Sequence, residues 1–278
     1  MSTTAAPQRK ALRVRQRLGK YRIQSKLGNG SFAVVYSAMD TIEGRRVALK
    51  IPHEDLVGEA TIRDFRHEIR TVAKLDHPNI LQLKDASFID DKLVIALPLG
   101  IQTLTERMQK RASTMQIVGW FEQILDAVAF AHRHKIIHCD IKPDNIILFD
   151  DGEVRLADFG IARIAKKTVK GSGSGTLGYM STEQAMGKPS FRSDVFATGL
   201  IGYRMLTGRL PEYPFDWPPP GYTKLRGKVH PKMIALLKRA LDPDSRRRYR
   251  DAEKMHDAWG LIRTTIKRHL QRRGKGRK

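Results

Sequence analysis

Between His138 and Gly160 the chain reads HCDIKPDNIILFDDGEVRLADFG, and no other stretch constrains its folding as tightly. Two apolar runs, Ile146–Phe149 and Val154–Ala157, flank Asp150-Asp151-Gly152. Asp-Gly between apolar runs is a strong hairpin signal, because glycine readily takes the positive φ of tight turns. A turn centred near Asp151 sets Asn145 opposite Asp158, with Asp140 just upstream. An amide and a carboxylate facing each other offer oxygen ligands to a hard cation such as Mg2+. Asp140, nearby on the loop, could accept a proton. The plain alternative is a surface hairpin with a polar mouth.

The 278 residues suffice for one large domain or two lobes with a real core. The longest apolar candidate for a membrane span, Leu93–Leu104, is interrupted by Pro98 and Gly100. No apolar signal-peptide region opens the chain, and the single cysteine, Cys139, excludes an internal disulfide. A reducing, cytoplasmic setting is therefore expected. The net charge of +22 is unevenly spread: no acidic residue precedes Asp40 or follows Asp257. Sixteen Lys and Arg lie in the first 39 and last 21 residues, leaving 35 basic against 29 acidic residues between. This layout reads as an ordinary domain with basic flanks, a disordered arm over residues 1–20 and a tail over 264–278. Such flanks suit nucleic acid, an anionic surface or an acidic partner, with plain solubility as the alternative.

Along the chain, order is expected from Tyr21. Leu27-Gly28-Asn29-Gly30-Ser31 leads into the β-branched and aromatic run Phe32–Tyr36. That pattern predicts strand–turn–strand, and glycines there let backbone N–H groups approach a phosphate. It fits neither a dinucleotide fold nor a P-loop. Arg46–Ile51 alternates as a strand with Lys50 on the face of Ala48, and an inward ammonium needs a partner. Over Ala60–Leu75, Phe65, Ile69, Val72 and Leu75 recur at helical spacing with Glu68 in the same stripe, which supplies that partner. His77–Phe88 and Lys92–Leu97 read as strands turned at Asp90-Asp91, and a hinge is expected at Pro98–Gly100. Ser113–His134, Ser193–Gly208, Lys232–Leu241 and Asp251–Arg263 read as helices, with Asp194 near a helix start where a carboxylate can satisfy orphan N–H groups.

Taken in order, Gly28-x-Gly30, Val47-Ala48-Leu49-Lys50, Glu68, His138-x-Asp140-x-Lys142-Pro143-x-Asn145, Asp158-Phe159-Gly160 and Asp194 resemble the eukaryotic-type serine/threonine protein kinases also found in bacteria. The resemblance covers about Tyr21 to Arg263. It implies an α+β, two-lobed fold, with a small β-rich N-lobe over 21–97 and a larger helical C-lobe over 98–263. It also implies phosphoryl transfer from ATP with Mg2+ to hydroxyls of protein substrates. By that resemblance Lys50 holds the α/β-phosphates and is steadied by Glu68. Asn145 and Asp158 bind Mg2+, Asp140 takes the substrate's proton, Lys142 steadies the γ-phosphate and Thr176 links the substrate loop to the catalytic loop. Leu27, Gly28, Gly30 and Ser31 cover the nucleotide. Val35, Ala48 and Ile147 sandwich the adenine, Ile95 is the gatekeeper, and Leu97 lies on the hinge beside Pro98, which has no N–H to give. Phe159, His138, Val72 and Leu83 match the family's stacked apolar spine.

Three positions depart from the family pattern. Ala33 replaces the third glycine, Cys139 replaces the arginine of His-Arg-Asp, and Ser181-Thr182-Glu183 replaces Ala-Pro-Glu. Without that arginine, activity is expected to depend little on phosphorylation at Thr168, Ser172 or Ser174. Glu183 is expected to pair with either Arg246 or Arg248. The alternative reading is a catalytically weak pseudokinase serving as a binding module with polyanion-binding arms.

Overall fold

A computed structural model describes residues 12–30, 33–53, 69–70, 73–159, 177–212 and 214–275. The chain divides into two compact units. One comprises Met1–Ala73 with Gln82–Leu99, the other Lys74–Leu81 with Gly100–Lys278.

The first unit is a six-stranded antiparallel sheet. Its strands are β1 (Arg17–Leu18), β2 (Tyr21–Asn29), β3 (Ala33–Asp40), β4 (Arg45–Pro52), β5 (Asp85–Ile89) and β6 (Lys92–Pro98), in the order β1-β2-β3-β4-β6-β5. Alternation along the strands sends Tyr36 and Ala38, Val47, Leu49 and Ile51, and Val94 and Ala96 to one face, where they form the unit's core. Each fully buried aliphatic side chain there stabilises the sheet by about 1.5–3 kcal/mol. Asp90 and Asp91 both take positive φ, 48° and 59°, as the two-residue turn from Ile89 to Lys92 requires.

Two sequence expectations fail in this unit. Order begins before Tyr21: Leu18 pairs with Tyr21 and is 1% exposed, and Arg15 N–H donates to Ile23 O at 2.8 Å. Apolar Leu18 falls in register with the core, which the surrounding arginines hid. His77–Phe88 is not one strand. Only Asp85–Ile89 is extended in the sheet, and Lys74–Leu81 belongs to the second unit. There Asn79 Nδ2 donates to Val154 O and to Gln123 Oε1, both at 2.9 Å, and a single parallel bridge, Leu156 N–H to Asn79 O at 2.8 Å and Leu81 N–H to Leu156 O at 2.9 Å, joins the segment to Leu156. Of the expected helix over Ala60–Leu75, only Ile69 and Arg70 are described as helical, and Glu68 lies outside the described residues.

The second unit carries a three-stranded sheet of β7 (Gln102–Thr103), β8 (Ile146–Leu148) and β9 (Val154–Leu156). Its helices are α1 (Leu104–Arg107), α2 (Thr114–Arg133), α3 (Thr182–Ala185), α4 (Phe191–Thr207), α5 (Tyr222–Leu225), α6 (Pro231–Ala240) and α7 (Ala252–Lys275). Ser113 Oγ caps α2 by accepting from Gln116 N–H at 3.1 Å. The apolar stripe Ile117, Trp120, Phe121, Ile124, Leu125 and Val128 is buried as its spacing predicts. Gly208 ends α4 with φ 71°.

Of the basic tail expected over 264–278, residues 264–275 are the last three turns of α7, and 276–278 lie outside the described residues. Met255, Trp259, Ile266 and Leu270 continue one stripe, and Ile266 is 0% exposed. Its cations are partly used internally: Lys267 Nζ lies 2.6 Å and Arg263 Nη1 3.6 Å from the Glu122 carboxylate on α2. The hinge expected at Pro98–Gly100 falls where the two units meet in sequence, after Leu99. A Cβ on Gly100 would stand 2.7 Å from Leu148 O, so that backbone approach excludes a side chain. No helix among the described residues is long and apolar enough to cross a membrane.

Candidate active site

The hairpin forms, centred on Asp151. Ile146 pairs with Leu156, Ile147 with Arg155 and Leu148 with Val154. The arc closes with Phe149 N–H on Glu153 O at 3.0 Å, so Asp151 itself is the midpoint. Asn145 therefore faces Ala157, whose N–H donates to Asn145 O at 2.7 Å, and Asp158 stands one residue beyond. Asn145 meets Ala157 rather than Asp158 because three residues, Asp150-Asp151-Gly152, lie between the paired Phe149 and Glu153, which puts the midpoint on a residue and not between two. Asp158 adopts φ 65°, leaving the strand direction at once. Such a conformation costs a non-glycine residue about 1–2 kcal/mol, so packing and hydrogen bonds must hold it.

Upstream, Asp140, Lys142 and Asn145 form one constellation. Asn145 Nδ2 donates to Asp140 O at 2.9 Å and to Asp140 Oδ2 at 3.0 Å. Lys142 Nζ lies 2.9 Å from the same Oδ2. Both charged or polar donors go to one oxygen, so Oδ1 keeps its acceptor capacity. The Asn145 nitrogen is committed, which leaves the amide oxygen to serve as a ligand.

The loop is fixed by buried polar groups. The Asp194 carboxylate, 1% exposed on α4, accepts the N–H of His138 at 2.7 Å and of Cys139 at 3.0 Å. His132 Nε2 adds a third contact at 3.0 Å. Because His132 Nδ1 accepts from Ala252 N–H at 2.9 Å, the ring donates through Nε2. Asp194 was expected to serve the N–H groups of its own helix. It serves another segment instead, one whose Cys139 takes φ 64°. Gln184 Nε2, for which the sequence holds no signal, donates to Cys139 O at 2.6 Å. His138 Nδ1 accepts from Asp140 N–H at 3.2 Å, so Nε2 donates to Ala157 O at 2.8 Å. Its ring meets that of Phe159 at 4.5 Å, which joins two members of the expected spine; Val72 lies outside the described residues.

Glu183 pairs with Arg248, not Arg246, at 2.8 Å. Arg248 is 2% exposed and also donates to Asp242 O at 2.7 Å, whereas Arg246 turns outward to Asp244. Burial works to raise the Glu183 carboxyl, but its own backbone N–H and the Arg248 guanidinium prevail and hold it below the usual range.

On the first unit, Val35 pairs with Lys50 and Lys50 with Ile95, while Ala48 pairs with Leu97. Cross-strand partners share a face, so these five residues line the face opposite the core. Lys50 is 8% exposed. Gly28 pairs with Val35, and Gly30 N–H donates to Ala33 O at 2.9 Å. His53, unremarked in the sequence, is 7% exposed and bonds Gly30 O through Nε2 at 2.9 Å. Leu27 is exposed, and Ile147 is half-buried on β8 of the second unit. Ser31, Glu68 and Thr176 lie outside the described residues, as do Thr168, Ser172 and Ser174.

The family profile described as protein kinase domain matches residues 21–260. The chain belongs to the protein kinase family. Among curated proteins, this kinase chain is 37% identical over 201 residues to serine/threonine-protein kinase PrkC of Bacillus subtilis, covering 69% of the chain and 31% of the relative. It is 32% identical over 238 residues to the probable serine/threonine-protein kinase pknA2 of Bifidobacterium longum, covering 81% of the chain and 31% of the relative. The kinase chain thus spans about a third of the length of these relatives. The crystal structure of the Mycobacterium tuberculosis PknI kinase domain superposes with a TM-score of 0.68 at 22% identity, covering 91% of this chain and 99% of that one. That likeness concerns the two-lobed kinase fold.

Proposed function

We propose that this kinase transfers the γ-phosphoryl group of Mg-bound ATP to serine or threonine hydroxyls of protein substrates. The observation that carries the reading is the Asp140 carboxylate, oriented through Oδ2 by Asn145 and Lys142 on a loop fixed by Asp194. A substrate hydroxyl donating to Oδ1 is aligned for attack, and the carboxylate takes its proton as the new bond forms. Lys142 turns from Asp140 to the transferring phosphoryl group, placing positive charge where negative charge accumulates. Lysine here is similar to the serine/threonine kinases rather than to the tyrosine kinases.

The donor set suits a hard cation: the free Asn145 amide oxygen and the Asp158 carboxylate stand at the open end of one hairpin. Mg2+ held there neutralises charge on the phosphates. Lys50, kept in place by Glu68, contacts the α/β-phosphates, and Thr176 links substrate loop to catalytic loop. Leu27, Gly28, Gly30 and Ser31 cover the nucleotide. Among the described residues a Cβ on Gly28 would meet nothing within 4 Å, so its own packing does not require a bare backbone there, which suits an approaching ligand. Val35, Ala48, Ile95, Leu97 and Ile147 supply apolar contacts to the adenine. The pseudokinase alternative rests only on Cys139 and Ser181-Thr182, whereas each acidic and amide group that the chemistry needs is present in the sequence.

Transfer of label from [γ-32P]ATP to protein, by wild type and Asp140→Asn at equal concentration, tests this. The variant should lose about 10²–10⁴-fold in turnover, the usual contribution of a positioned base. Transfer surviving unchanged in the variant would remove Asp140 from the mechanism.

A further inference from the structure

A cavity of about 610 Å³ opens in the second unit, among α1, the start of α2, the end of α4 and α5. Among the described residues six cations line it, Arg107, Lys110, Arg111, Arg204, Lys224 and Lys228, and no carboxylate does. Among the described residues none of the six forms an ion pair. Three have partners that leave their charge uncompensated. Arg107 lies 4.9 Å from the Trp120 ring and donates to Lys110 O and Arg111 O at 3.2 and 3.3 Å. Lys228 Nζ donates to Leu206 O at 2.7 Å, in the last turn of α4. Arg204 donates to the hydroxyl of Tyr179. Burial, and then Lys224, hold the Lys228 ammonium below its usual range, as expected of a cation that lacks an anion.

Tyr179 ties this cavity to the catalytic loop. It lines the small cleft formed with Cys139, Asp140 and Lys142, and its hydroxyl is the partner of Arg204. One side chain, Tyr179, thus bridges Arg204 of the cavity and the cleft that holds Asp140. A concavity of this size admits a few side chains, not a nucleic-acid duplex.

We propose that this cavity is a recognition site for the acidic segment of a protein substrate, taking Asp or Glu side chains close to the target hydroxyl. The proposal rests on the kinase reading above and names the class of substrate that reading leaves open. Arg107, Arg204 and Lys228 are fixed by their neutral partners and form a preorganised floor. Lys110, Arg111 and Lys224, more exposed, close on the carboxylates. Complementary charge of this kind acts mainly through selection and capture, and so through KM.

The test uses the full chain with two serine peptides, one bearing four glutamates beside the serine and one with those glutamates replaced by alanine. Binding is read by fluorescence anisotropy without ATP, and transfer by label incorporation. Wild type should favour the acidic peptide by at least about tenfold in both Kd and kcat/KM, a difference that weakens as salt rises. The double variant Lys110→Glu, Lys224→Glu should abolish the preference, and Lys110→Arg, Lys224→Arg should retain it. Equal binding of the two peptides, or a preference indifferent to charge reversal, would overturn the proposal. So would inorganic polyphosphate binding that depends on these lysines while the acidic peptide stays unbound. Charge-dependent binding without transfer to any peptide would sustain the cavity and sink the kinase reading instead.

Discussion

Replacing Asp194 by asparagine isolates what holds the catalytic loop. Oδ2 receives His138 N–H and His132 Nε2, and Oδ1 receives Cys139 N–H. The best-placed asparagine keeps its oxygen toward His138 and His132 and turns its NH2 on the Cys139 N–H. One charge-assisted bond is then lost, worth about 1.5–3 kcal/mol, and a buried N–H is stranded at about 1–3 kcal/mol. The donor stranded is that of Cys139, held at φ 64°, so the loss falls on the residue beside Asp140. Taking about 3 kcal/mol as the sum and tenfold per 1.36 kcal/mol, a loss expressed wholly in positioning lowers kcat by about a hundredfold. A loss expressed as stability lowers Tm by about 6–12 °C at ~2–4 °C per kcal/mol. Steady-state transfer assays and calorimetry on the same preparation measure the two shares, with KM for ATP little changed. Asp194→Asn with wild-type kcat and a Tm within about a degree of wild type would show that these three bonds do not hold the loop.

Three further outcomes are expected. Arg248→Met leaves the Glu183 carboxylate without its cation in a largely closed site, and urea denaturation should record a loss of about 3–5 kcal/mol, whereas Arg246→Met, at an exposed and solvent-screened pair, should leave the midpoint nearly unchanged. Ile266→Ala should destabilise the protein by about 2–5 kcal/mol, because residues once expected to be a loose tail are core; a change within error would return them to that role. Glu122 is drawn upward by burial but held below its usual carboxylate range chiefly by Lys267, so its contribution is complete above about pH 4.5 and declines as pH falls through the lower folded value. Lys267→Ala should therefore flatten the acid limb of a Tm-against-pH curve below about pH 4.5, and an unchanged limb would exclude the pair as its source.

Much of the site was legible because its pieces are local. Asp140, Lys142 and Asn145 lie within six residues, so a single loop dictates their meeting, and the Asp-Gly arc brings Asp158 back to the same end. The shared face of Val35, Ala48, Lys50, Ile95 and Leu97 follows from strand alternation, a period of two that any register of the same parity preserves. What misled was charge. Eight cations in the last 21 residues concealed the continuation of the α7 stripe through Ile266 and Leu270, because long basic side chains on a helix occupy its outer face without disturbing its inner one.

By itself the sequence determined the hairpin, the amphipathic helices over Ser113–His134 and Ser193–Gly208, and the side chains on which the proposed phosphoryl transfer rests, all consequences of spacing along a few turns of chain. Only the tertiary structure decided that Glu183 takes Arg248, that Asp194 caps a loop 55 residues upstream, that His53 bonds the glycine-rich turn, and that six unneutralised cations share one cavity. Those choices depend on which helices come to lie side by side. Contacts between distant segments are fixed by the packing of whole faces, and no short window of sequence records which of two equally suitable arginines will be turned inward.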